Sequence, residues 1–98
     1  MEDVMSVIVS RHPAAIAFAR GDERFTTARV LDQATEDDVR GQVVAGNLPL
    51  HLACLCQQYY AIELPAIALS QRGQELSGEE MVAAGARLVH YRVERLDN

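Results

Sequence analysis

Twice in the first half of this 98-residue chain, a short run of β-branched residues ends in a small polar loop and a proline then opens a helical segment. The first unit is Val4-Met5-Ser6-Val7-Ile8-Val9, then Ser10-Arg11-His12, then Pro13. The second is Gln42-Val43-Val44-Ala45-Gly46, then Asn47-Leu48, then Pro49. A nearly continuous apolar run is the pattern of a strand covered on both faces, as in a parallel sheet. Proline suits the first helical position, because the N–H it lacks would have no intrahelical partner there. Parallel neighbours need crossover connections, so this alternation predicts an α/β fold built on a mainly parallel sheet flanked by helices.

The remaining segments extend the pattern. Residues 14–20 continue the first helix until Gly21 stops it, and residues 25–31 read as a second strand. Thr35 is placed to cap a short helix whose first turn is acidic, with Gly41 at its end. The second proline-opened helix is expected over 50–58. A fourth strand is expected within 60–69, broken or pushed to an edge by Pro65. Ser77 and Glu80 form a capping-box pattern that opens a helix closed by Gly85, and residues 88–95 alternate as a half-exposed last strand.

This length is that of one domain, residues 1–98. Hydrophobic residues make up 49% and charged residues 23%, so no segment reads as disordered. The apolar runs are too short to span a bilayer, and the acidic start Met1-Glu2-Asp3 is unlike a secretory signal. A cytoplasmic protein without a membrane partner is expected. The formal net charge of -5 argues against binding long nucleic acid, which needs a broad basic surface, but leaves room for a small anion in a local basic pocket. Cys54 and Cys56 stand two apart on the expected helix, where they point in different directions and read as reduced thiols.

Ligands of open α/β sheets bind outside the carboxyl ends of the strands, where helix N-termini also point. Ser10-Arg11-His12 and Gly46-Asn47 both occupy that rim. If strands one and three are neighbours or flank a switch point, the two loops converge on one crevice. Arg11 is able to fork two hydrogen bonds onto a phosphate, or to pair with an acid such as Asp32 or Glu36. His12 has the chemistry of a general acid or base, or of a histidine in the turn before the helix. Ser10 and Asn47 offer hydrogen bonds to a ligand or to their own loops. His51, in the first turn of the second proline-opened helix, stands near the expected crevice, whereas His90 is expected to be solvated. The three histidines and the cysteine pair lack metal-ligand spacing, so no metal and no cofactor is expected. Gly-x-Gly-x-x-Gly, P-loop and Gly-x-Ser-x-Gly patterns are absent.

The ordered set Val9-Ser10-Arg11-His12-Pro13-Ala14, Gly46-Asn47-Leu48-Pro49-Leu50-His51-Leu52-Ala53, Arg72-Gly73-Gln74-Glu75-Leu76-Ser77-Gly78-Glu79-Glu80-Met81 and Gly85-Ala86-Arg87-Leu88 resembles a small stand-alone CRISPR-associated family of type III loci, the Csx-sixteen family. The resemblance spans nearly the whole chain. It departs at Ala14, where glycine is frequent, at Asn47, where threonine is frequent, and in a longer stretch between Leu64-Pro65 and Arg72. It implies a Rossmann-like, CARF-related domain, a homodimer, that binds cyclic oligoadenylate and, as a ring nuclease, cuts it to end an antiviral response. The resemblance carries over to Ser10, Arg11 and His12 in the first motif, Asn47 and His51 in the second, and Arg72 and Glu75 in the third, and does not itself assign which is catalytic; by their chemistry Ser10, Arg11, Asn47 and Arg72 are the ligand-binding candidates and Arg11, His12 and His51 the catalytic ones. The implied reaction is metal-independent attack of a ribose 2′-OH on the adjacent phosphate. The alternative is a binding module that sequesters or senses the messenger without cutting it. A third reading is a structural or interaction protein whose loops only build turns.

Overall fold

The computed structural model describes residues 4–63, 82 and 85–96. Among the described residues, five strands form one sheet: β1 (Ser6–Val9), β2 (Arg29–Leu31), β3 (Val43–Gly46), β4 (Gln58–Glu63) and β5 (Arg87–Tyr91), in the order β2-β1-β3-β4-β5. The first four run parallel, and β5 is antiparallel to β4 at the edge. The helices whose bounds lie among the described residues are α1 (Pro13–Arg20), α2 (Glu36–Val39) and α3 (Leu50–Ala53). This is the small Rossmann-like arrangement with a C-terminal edge strand.

Strand residues alternate between two covered faces, as the pleat requires. On one face Ile8, Ala45, Tyr60 and Ile62 pack under α1 through Ala15, Ile16, Phe18 and Ala19. On the other, Val7 and Val44 meet Val39 of α2 and Leu52 of α3. The burial of β1 and β3 from both sides is why their sequences are apolar runs rather than alternating ones. Among the described residues, no helix is long and apolar enough to cross a membrane.

Four elements differ from their sequence expectation. The second strand starts at Arg29 rather than Phe25, because Asp22 caps a 3₁₀ turn over Glu23–Phe25 and accepts from Arg24 N–H at 2.9 Å. That turn drives Phe25 into the core, fully buried and edge-on to Tyr60 at 5.7 Å. The second proline-opened helix is a single turn, since residues 47–57 must return the chain to the amino end of β3's neighbour, where Gln57 N–H already bonds the Gln42 carbonyl at 2.8 Å. Cys54 and Cys56 are consequently not helical; both are free thiols, Cys54 at the helix C-cap and Cys56 in the turn beyond it. The fourth strand begins at Gln58 and is described to Glu63, before Pro65. The last strand is shorter than expected, Arg87–Tyr91. The Thr35 cap stands as expected, with the Asp38 carboxylate accepting from the Thr35 backbone N–H at 2.8 Å and its hydroxyl at 3.0 Å. Gly85, with φ 86° and its N–H on the Val82 carbonyl, sits where a helix was expected to close. Pro65, Arg72, Glu75 and the Ser77 capping box lie outside the described residues.

Candidate functional site at the carboxyl ends of β1 and β3

β1 lies between β2 and β3, so the chain leaves β1 to one side and returns to its other side: the switch point falls between β1 and β3. Their register pairs Val9 with Gly46, the last residue of each strand. The approach is very close. Gly46 has φ 150°, and a Cβ there would stand 2.4 Å from the Val9 carbonyl oxygen. Only glycine fits both that backbone angle and that contact. The loops that follow, Ser10-Arg11-His12 and Asn47-Leu48, therefore start from adjacent points.

The first loop is well ordered by its own bonds. Ser10 N–H donates to the Leu31 carbonyl at 3.0 Å, continuing the pairing with β2. The Ser10 hydroxyl oxygen accepts from His12 N–H at 3.1 Å, which satisfies loop backbone and leaves the hydroxyl proton to donate elsewhere. His12 is the extended N-cap of α1 and Pro13 begins the helix, so the N-terminus of an eight-residue helix opens at this loop with no acid in its first turn. Arg11 is exposed. Among the described residues it makes no ion pair: Glu36, one of the acids it was weighed against, bonds Arg40 at 3.2 Å instead, and Asp32 forms none.

Asn47 is exposed on a loop fastened by a residue outside the candidate set. The Tyr59 phenol oxygen accepts from Leu48 N–H at 3.0 Å, and its O–H donates to the Gly46 carbonyl at 3.1 Å. Burial raises the Tyr59 pKa above that of a free tyrosine, so the phenol keeps the proton this bridge uses. The sequence signal was the pair Tyr59-Tyr60 inside an apolar run: on a strand they face opposite sides, and each buried hydroxyl needs a partner.

The other histidines stand elsewhere. His51 is exposed on α3 and lines an open cleft of about 730 Å³ together with Cys54, Gln58, Tyr59, Tyr91 and Arg92. Ser10, Arg11, His12 and Asn47 are not among its lining residues. His90 is not simply solvated; its ring stacks on Tyr60, 4.4 Å between centroids, and the Arg24 guanidinium lies 4.3 Å from the centre of the same ring. Arg72 and Glu75 fall outside the described residues. The structure thus brings Ser10, Arg11, His12 and Asn47 to one rim, and sets His51 on the cleft. Among the described residues, no three His, Cys, Asp or Glu side chains are grouped as metal ligands would be.

Chemically, the rim offers a guanidinium, a hydroxyl proton, a side-chain amide and the positive end of a helix. All of these favour an anion.

Residues 7–94 match a protein family described as "Putative CRISPR-associated protein (Cas_VVA1548)". No curated protein and no solved structure gives a significant match. With a match that runs from β1 to beyond β5, the chain belongs to this CRISPR-associated family.

Proposed function

We propose that the β1/β3 rim binds a cyclic oligoadenylate, cyclic tetra-adenylate first among them, and that a homodimer of this chain cleaves it without a metal. The observation that carries this reading is the pairing of Val9 with Gly46, which starts two donor-bearing loops from one point of the sheet. The membership of a CRISPR-associated family supports the setting. The guanidinium of Arg11, exposed and without an ion pair among the described residues, supports an anionic ligand, although the chain as a whole carries a formal net charge of -5.

A cyclic oligoadenylate is a compact, rotationally symmetric polyanion. Two copies of the rim related by a two-fold axis would match it, and each would supply one Arg11. In the reaction, a ribose 2′-oxygen forms a bond to the adjacent phosphorus while the bond from phosphorus to the 5′-oxygen breaks. The 2′-OH proton leaves to a base and a proton is returned to the 5′-oxygen, so a linear product with a 2′,3′-cyclic phosphate and a 5′-OH results, with no water consumed. The protein's work is to hold the three atoms in line and to stabilise charge on the phosphate oxygens. Arg11 and the Ser10 hydroxyl serve the second task. His12, beside them in sequence, is the proton carrier, and His51 would join only if the cleft and rim are brought together in the assembly.

Incubation of the pure protein with labelled cyclic adenylates of several ring sizes tests the reading. Binding with formation of the linear product is expected, and Arg11→Ala should weaken binding roughly 10- to 100-fold, the worth of a charged hydrogen-bond pair. Intact ligand after long incubation with excess protein would remove cleavage and leave a sequestering or sensing module. Unchanged affinity in a folded Arg11→Ala variant would remove the rim as the site.

A further inference from the structure

Leu48 packs its side chain against the core, but among the described residues the backbone polar groups of the second rim loop are tied down by one side chain. Among the described residues, no turn or loop hydrogen bond between backbone groups involves Asn47 or Leu48. Tyr59, in β4 next to β3, supplies what the backbone does not. Its single oxygen accepts from the Leu48 N–H and donates to the Gly46 carbonyl, tethering the residues on either side of Asn47. The ring beneath is 7% exposed and packed with Ala53 and Ala61, so the oxygen has little freedom to move.

We infer that Tyr59 is a positioning residue of the rim: it holds the Gly46-Asn47-Leu48 turn in the conformation that presents Asn47 beside Ser10 and Arg11. The inference rests on the rim being the ligand site proposed above. Gly46 sets where the loop starts, because its backbone lies against the Val9 carbonyl. Tyr59 sets where the loop goes next. Removing the phenol oxygen leaves the Leu48 N–H and the Gly46 carbonyl to seek water or a new partner, and either outcome turns the loop between them. Asn47 would then reach a ligand only after the loop is ordered again, at a cost in affinity.

The test is Tyr59→Phe in the full chain, which keeps the ring and its packing, read by amide hydrogen exchange and by titration with cyclic tetra-adenylate. Leu48 exchange is expected to rise about tenfold while Val44 and Ala45 in β3 keep their protection, and affinity is expected to fall about five- to tenfold. A purely structural role would loosen Leu48 and the β3 amides together, and that result overturns the inference. So does faster Leu48 exchange with unchanged affinity in a protein whose parent binds. An unprotected Leu48 amide in the parent protein overturns it with no variant needed. If the parent binds no cyclic adenylate, the proposed function fails, and Leu48 exchange alone then decides whether Tyr59 fixes the turn.

Discussion

Replacing Gly46 by alanine is the sharpest probe of the rim, since a single methyl group there is set against the backbone of the neighbouring strand. The added Cβ would lie 2.4 Å from the Val9 carbonyl oxygen and 3.3 Å from its carbon, at a φ of 150° that alanine rarely adopts. Neither contact is with a flexible side-chain end, so relief requires the carboxyl ends of β1 and β3 to part. Backbone strain of this kind costs about 1–3 kcal/mol, and loss of a ladder hydrogen bond adds about 1 kcal/mol. The sum, about 3 kcal/mol, is a large share of the roughly 5–15 kcal/mol that holds a domain together. At about 4–8 °C per kcal/mol for a chain of this size, the melting temperature should fall by about 12–24 °C. Gly41→Ala is the matched control: Gly41 also has positive φ, 73°, but nothing lies within 4 Å of its Cβ position. That variant should lose only the local conformational preference, about 1–2 kcal/mol. Thermal and urea unfolding of the two variants would decide the matter. Equal losses would refute the claim that β1 and β3 approach this closely, and with it the convergence of the two loops.

Two further outcomes follow from the packing. Phe25→Ala should destabilise the protein by about 3–5 kcal/mol in urea unfolding, because Phe25 is fully buried against Tyr60. A loss under about 1 kcal/mol would mean that Phe25 is a surface residue of a longer β2. Burial, with a smaller contribution from Cys54, pushes the Cys56 thiol up to about 11. Cys56 should therefore alkylate slowly at about pH 8 and faster once the chain is unfolded, measured by mass spectrometry of iodoacetamide adducts. Because its folded pKa is the higher one, its contribution to stability is complete below the ordinary thiol range and fades as pH rises toward about 11. Rapid labelling of Cys56 in the native protein would contradict the upward shift of its thiol.

The order of elements and the position of the rim were legible in the sequence because they depend on local, repeated signals. β-Branched runs mark β1 and β3, prolines mark the starts of the next helices, and parallel pairing follows from the crossovers between them. Ser10, Arg11, His12 and Asn47 could be assigned to the carboxyl ends of strands on that basis alone. Element lengths were less legible, since the Asp22-capped 3₁₀ turn delays β2 past Phe25 and the return to the start of β4 leaves α3 a single turn. The stack of His90 on Tyr60 was hidden for a similar reason: residues 30 positions apart meet through the β4–β5 register.

Local chemistry written along the chain determined that this protein would be a mainly parallel α/β sheet with polar loops at one end of its strands. Which strands became neighbours was decided only by the tertiary structure, because several strand orders are compatible with the same alternation. The β2-β1-β3-β4-β5 order places Val9 against Gly46 and lets Tyr59, from a third strand, tie down the Asn47 loop. The physical reason is that covalent order conveys direction and spacing along one dimension, whereas backbone contact and hydrogen bonding across strands are settled by how the faces pack.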